Sequence, residues 1–191
     1  MVRDRCALGY TVATALLMGG LFGFIGSVQQ IIYDVFASGY LLIPIFTSIA
    51  AAMAIGSLVN SRIVMRMGMR PISHVALVAM ILVAVAHLCV ALAGYESLAS
   101  FVVLQALMMT NFGLVGGNFQ AMAMERMGAI AGTASSLQGF VTTFAGALVG
   151  AFIGQAFDGT TVPLYLGFVG TGLAALAVVA ITERGRLFRP S

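Results

Sequence analysis

The chain has no lysine; its nine basic residues are all arginine. Charge of either sign is scarce: 8% of the 191 residues are charged and 61% are hydrophobic, with a mean hydropathy of +1.07. A soluble domain of this length cannot hide so much apolar surface, so the bilayer must be its solvent. Cysteine is nearly absent. Cys6 and Cys89 fall at depths about 20 Å apart at 1.5 Å per residue, which excludes a disulfide between them. Enzyme signatures are missing: there is no Walker A loop, no HExxH and no GxSxG elbow. Ser135 and Ser136 with His87 have nothing to orient them as a hydrolase. No cofactor is implied. No metal site is implied either, because His74 stands thirteen residues from His87 and no second ligand occurs at ligand spacing. The net charge of +3 is carried by dispersed arginines and is no nucleic-acid patch.

Acids are missing from the depth at which intramembrane carboxylates usually carry protons. Asp34, Glu96 and Asp158 fall at one end of the apolar runs, and Asp4, Glu125 and Glu183 at the other. None lies at mid-membrane depth, where intramembrane carboxylates ordinarily carry protons. Two candidates for proton coupling remain. Asp34 qualifies if the first helix outruns its apolar core; otherwise it is an exposed loop acid. His87 is the one ionisable group well inside a run. It is either a neutral, hydrogen-bonded packing residue or a proton relay.

What is present is six apolar runs, each long enough for a hydrocarbon core of about 30 Å. They are expected near Ala7–Gln30, Tyr40–Ser61, Ile72–Gly94, Leu98–Met124, Ile130–Phe157 and Val162–Thr182, with short turns between them. One six-helix domain over 1–191 is expected. The first run is too long, and too little polar sequence follows it, for a cleaved leader. All nine arginines fall on one side of this arrangement. Arg3 and Arg5 precede the first run, Arg62, Arg66 and Arg70 follow the second, Arg126 follows the fourth, and Arg184, Arg186 and Arg189 follow the sixth. Cytoplasmic loops collect basic residues, so both termini are expected in the cytoplasm.

Two kinds of pattern run along the helices. Small residues recur every four positions at Gly146, Gly150 and Gly154, at Gly19, Gly23 and Ser27, and at Ser48, Ala52 and Gly56. Such ladders let backbones approach closely in lipid. They serve either packing within one bundle or a surface of helices two and five that meets a second unit. Polar stripes form the other pattern. Met108, Asn111, Val115, Asn118 and Met122 share a face of helix four. Thr11, Thr14, Met18, Ile25 and Gln29 share one on helix one, with Gln30 beside it and Tyr33 four beyond Gln29. Methionines beside amides suit a surface for varied apolar ligands, and core packing is the alternative.

Three stretches carry a family resemblance. They are Phe24 to Ile31 (FIGSVQQI) with Asp34-Val35-Phe36, Asn60-Ser61-Arg62 with Arg66-Met67-Gly68-Met69-Arg70, and Ala131 to Ser136 (AGTASS). Together they resemble the second, C-terminal half of bicyclomycin/chloramphenicol-resistance (Bcr/CflA-like) drug transporters of the major facilitator superfamily. The resemblance implies an all-α inner-membrane fold: one six-helix half built from two three-helix repeats. It implies drug:proton antiport by alternating access, with the coupling acids in the other half. Helices one and four would line the substrate cavity, giving Met18, Gln29, Gln30, Tyr33, Met108, Asn111, Asn118 and Met122 as candidates. Asn60, Arg62, Arg66, Gly68 and Arg70 would form a gate loop, from which the superfamily's acid is missing. Gly56, Gly146, Gly150 and Gly154 would face the other half. A parallel homodimer would restore twelve helices. Half of a split transporter with a separate six-helix partner, or a non-transporting remnant, would share the fold. Proton-coupled and passive transport both fit.

Overall fold

A computed structural model describes residues 4–188; Arg3 and Arg189 lie outside them. Among the described residues the chain is all helix, with six helices long and apolar enough to cross a membrane. They are α1 (Arg5–Gln30), α2 (Leu42–Met67), α3 (Met69–Leu92), α4 (Leu98–Met124), α5 (Ala131–Gln155) and α6 (Val162–Thr182). This is a multi-pass membrane protein. Local chemistry sets several ends. The Asp4 carboxylate accepts from the Ala7 N–H at 2.8 Å and caps α1. Ser97 and Ser100 form a reciprocal cap on α4. Pro163 sits in the first turn of α6, where its missing N–H has no intrahelical partner to lose.

Two boundaries differ from expectation. Helix α2 runs six residues past Ser61, and α3 starts at Met69, so Gly68 alone separates them. Gly68 has φ +84°, a conformation that a side chain would strain. The expected gate loop is therefore two helix ends and a glycine hinge, with Arg62 and Arg66 exposed on the last turns of α2. At its other end α1 continues into a π-helical turn, Ile31–Val35. That turn keeps Ile31 and Ile32 buried while Tyr33 and Asp34 stay exposed.

Within each set of three, consecutive helices scarcely touch. Instead α1 packs on α5 and α6, and α4 packs on α2 and α3, with α1 against α4 and α3 against α6. The first helix of each triplet thus inserts between the second and third of the other. Neither triplet has a core of its own; one core forms when they interlock, around Tyr10, Phe24, Leu77, Met80, Phe101, Met108, Phe119, Tyr165 and Phe168.

The small-residue ladders make two of the close contacts of this interlock. A Cβ on Gly146 would lie 2.7 Å from Met18 Cβ, and one on Gly150 2.5 Å from Phe22 Cβ. Gly19 and Gly23 answer from α1, against Val149 and Ile153. On the other side a Cβ on Gly56 would lie 2.1 Å from the Thr110 carbonyl oxygen, and one on Gly113 2.2 Å from that of Met53. Gly56, Gly146 and Gly150 are therefore buried between helices of one bundle rather than displayed outward, and Gly154 continues the ladder past Gly26.

Candidate functional site

Helix α1 is central, yet one of its faces is left uncovered between α2 and α5. Met18 and Phe22 are half-buried there, and Ile25, Gly26, Gln29, Gln30 and Tyr33 are exposed. Grooves run along this face. The largest, about 490 Å³, lies between α1 and α5 and is lined by Phe22, Gly26, Gln30, Gly150, Gln155 and Phe157, among others. A second, about 350 Å³, lies where α1, α2 and α4 meet, beside Met18, Met53, Ser57, Phe112, Gly117 and Gln120. A third, about 290 Å³, lies between α1 and α2 beside Ile25, Gln29, Phe46 and Thr47. Between the last two is an apolar slot of about 110 Å³, where Phe24 and Phe46 stack at 6.2 Å. Among the described residues no charged side chain lines any of the four. The surface offers aromatic and thioether contacts with neutral amides and hydroxyls at intervals.

Of the expected cavity residues, Met18, Gln29 and Gln30 line these grooves, while Tyr33 lines none of them and packs against Gly39 past the end of α1. The helix α4 stripe does not reach this face. Met108 and Met122 are core residues, 0% and 1% exposed. Asn118 is buried against α2, where Asn60 and Asn118 exchange two amide hydrogen bonds of 2.9 Å. Asn111 faces another way, into an apolar groove with Ile63, Met67, Pro71 and Val75, and donates to the Leu107 carbonyl. The reason is the crossing of α4: its methionine–asparagine stripe is the one its neighbours cover, and a glycine-rich stripe ending at Gln120 is left open. On α1, Thr11 and Thr14 are likewise buried, donating to the Ala7 and Tyr10 carbonyls.

Phe22, Gly26, Thr47, Ser57, Gln120 and Gln155 were not foreseen. A period-four pattern marks some of them in the sequence: Phe22-Gly26-Gln30 on α1 and Ala147-Ala151-Gln155 on α5. The two candidates for proton coupling do not meet. Asp34 is exposed beyond the end of α1, while His87 is fully buried among α3, α4 and α6.

The arginine-rich end is closed by an ionic lattice. Arg70 donates to Glu125 at 2.9 Å and to Glu183 at 3.1 Å. Tyr10 donates to Glu183 at 2.7 Å, and its hydroxyl oxygen lies 3.3 Å from His74 Nε2. The Phe188 N–H donates to His74 Nδ1 at 3.1 Å, which fixes the histidine proton on Nε2. The acids absent from the α2–α3 junction are thus supplied by the ends of α4 and α6. Burial pushes the Glu183 carboxyl up, but hydrogen bonds from Tyr10 and Arg70 and the charge of Arg70 outweigh it and hold the group below its ordinary range.

The chain is 32% identical over 169 residues to the bicyclomycin resistance protein homolog of Haemophilus influenzae, an alignment covering 85% of this chain and 41% of the relative. The chain therefore spans about two fifths of that relative's length. No protein-family profile matches it, and no solved structure does.

Proposed function

We propose that the chain is one six-helix half of a major facilitator type drug transporter. It moves small amphipathic compounds across a bacterial-type inner membrane by alternating access, with both termini in the cytoplasm. The observation that carries this reading is the uncovered face of α1, where a central helix offers Met18, Phe22, Gly26, Gln29 and Gln30 along open grooves. Amides turned toward lipid without partners would cost several kcal/mol each in hydrocarbon, so this face wants a covering. A second six-helix unit seated on α2 and α5 would convert the grooves into a water-accessible cavity. The relative's length, more than twice the aligned span, and its name support both the second unit and a resistance substrate. A second copy of this chain, parallel and related by a twofold axis along the membrane normal, fits the geometry of such halves.

A second reading has the covering unit supplied by a different six-helix sequence. The lack of a mid-membrane carboxylate favours it, because such a unit would bring the coupling acid. Reconstitution of the purified chain into liposomes separates the two. Efflux of a panel of neutral and cationic amphipathic dyes is followed with and without a proton gradient, beside the oligomer mass in detergent. The account expects dye efflux from a chain of dimeric mass. Efflux appearing only when a second six-helix protein is added supports the second reading. A monomer that moves nothing under either condition contradicts both.

A further inference from the structure

A buried polar cluster lies at the arginine-free end, behind α1 and away from the grooves. His87 on α3 is fully buried, and its Nε2 lies 2.8 Å from Glu96 Oε1 in the α3–α4 turn. Glu96 is itself nearly covered, its side chain 11% exposed. Its other oxygen accepts from the hydroxyl of Thr161, which precedes α6. Tyr165 of α6 stacks on the imidazole with ring centroids 3.6 Å apart, and donates to Gln105 of α4 at 3.1 Å. Phe101 of α4 meets the imidazole edge-on at 5.8 Å. Two polar atoms in the cluster are buried with no hydrogen-bond partner: His87 Nδ1 and Gln105 Nε2.

Charge balance gives the cluster its chemistry. With a neutral imidazole, Glu96 would be a nearly buried carboxylate without a counter-ion. Among the described residues every arginine lies at the opposite end, Arg70 about 25 Å away along α3 at 1.5 Å per residue. A buried charge left unpaired is strongly unfavourable. Among the described residues, the one group able to become a cation beside Glu96 is His87. Its Nε2 is already engaged, and its Nδ1 is the vacant base. The face of Tyr165 favours a cation above it. The titratable groups facing the imidazole, among the described residues, are Glu96 from the turn and Tyr165 from α6; α4 presents only Phe101 and Gln105.

We propose that His87 and Glu96 together bind one proton, exchangeable with the medium at the arginine-free end, and that this pair is the proton site of the six-helix unit. In the empty state a neutral imidazole donates Nε2–H to the Glu96 carboxylate, and the pair carries one negative charge. Loading adds one proton from water to Nδ1. The Nε2–H bond to Glu96 persists, and the pair becomes a neutral ion pair. Its use as a coupling site rests on the transport reading above; the binding of the proton does not.

The test is nitrogen NMR of the full chain in lipid nanodiscs with 15N-labelled histidine, the His87 signals being assigned by their loss in His87→Asn. Across a pH series the His87 imidazole should pass between a form with one N–H and a form with two. Glu96→Gln should move that transition by about tenfold or more in proton concentration, the effect of removing an adjacent opposite charge. If that variant does not fold, Thr161→Val, which strips only the hydroxyl from Glu96, must shift the same transition. His87 signals unchanged over the range, or a transition that ignores these substitutions, would overturn the proposal. The readout contains no substrate and no flux, so a negative result leaves the transport reading standing, and a chain that moves nothing can still show the proton site.

Discussion

Single side chains divide between those that hold the two triplets together and those left on the open face. Asn60 and Asn118 belong to the first kind. Their reciprocal amide bonds satisfy two groups that would otherwise be stranded between α2 and α4. Asn118→Leu should lower stability by about 1–2 kcal/mol, and adding Asn60→Leu should recover part of that loss; unfolding midpoints in detergent for the two singles and the double measure it. Additive losses would mean that the pair contributes nothing as a pair. Glu183 gives a pH prediction. Its carboxyl is held below the ordinary range in the folded chain, so the stability it supplies is present above the unfolded value, about 4.3, and is lost as pH falls through the folded value. Arg70→Gln should reduce that acid-side loss, Tyr10 supplying the rest, and lower stability at neutral pH. An unfolding profile below about pH 5 identical to the parent would show that the lattice is unimportant. From the sequence alone Arg70 was legible as a residue of the α2–α3 junction, but its partners were not, because Glu125 and Glu183 are 55 and 113 residues away.

At the scale of helices, the apolar runs and their number were readable directly, since an intramembrane helix must satisfy its own backbone and announces itself by length. What each face does was not. A small-residue ladder has the same spacing whether it meets a helix of its own bundle or a foreign one, and α5 uses Gly146 and Gly150 against α1. Gly150→Leu should therefore destabilise the fold itself, by roughly 1–3 kcal/mol or more from overpacking, rather than only separate two units. A variant with an unchanged melting midpoint in detergent would contradict that placement. The stripe on α4 misled for a related reason. Asparagines amid methionines mark any surface that needs polar partners, and here the partner is Asn60. On α5 a small and polar stripe, Gly139, Thr143, Ala147, Ala151 and Gln155, is exposed beside the large groove, and an aromatic stripe, Phe140, Phe144 and Phe152, is exposed next to it. Substitution of the aromatic stripe by leucine should leave flux and oligomer mass unchanged if it faces lipid, and disturb both if it forms the interface.

For the whole molecule, the proposed orientation, which rests on the placement of the arginines, can be checked without any ligand. Reporters fused after the last residue and inserted at Asp158 should report opposite sides of the membrane; the same side for both would contradict six crossings. The uncovered face of α1 is the central claim, because it separates a transport half from a bundle wholly immersed in lipid. The most direct measurement places single cysteines at Phe22 and Gly26, well inside the span of α1, in a background lacking Cys6 and Cys89. The 191-residue chain in liposomes is treated with a membrane-impermeant, water-soluble thiol reagent, with Asn118→Cys as the buried comparison. The account predicts that the Phe22 and Gly26 positions react, that the Asn118 position does not, and that a compound the chain transports slows the reaction. No reaction at Phe22 and Gly26 in a folded protein would place that face of α1 in lipid and contradict the account.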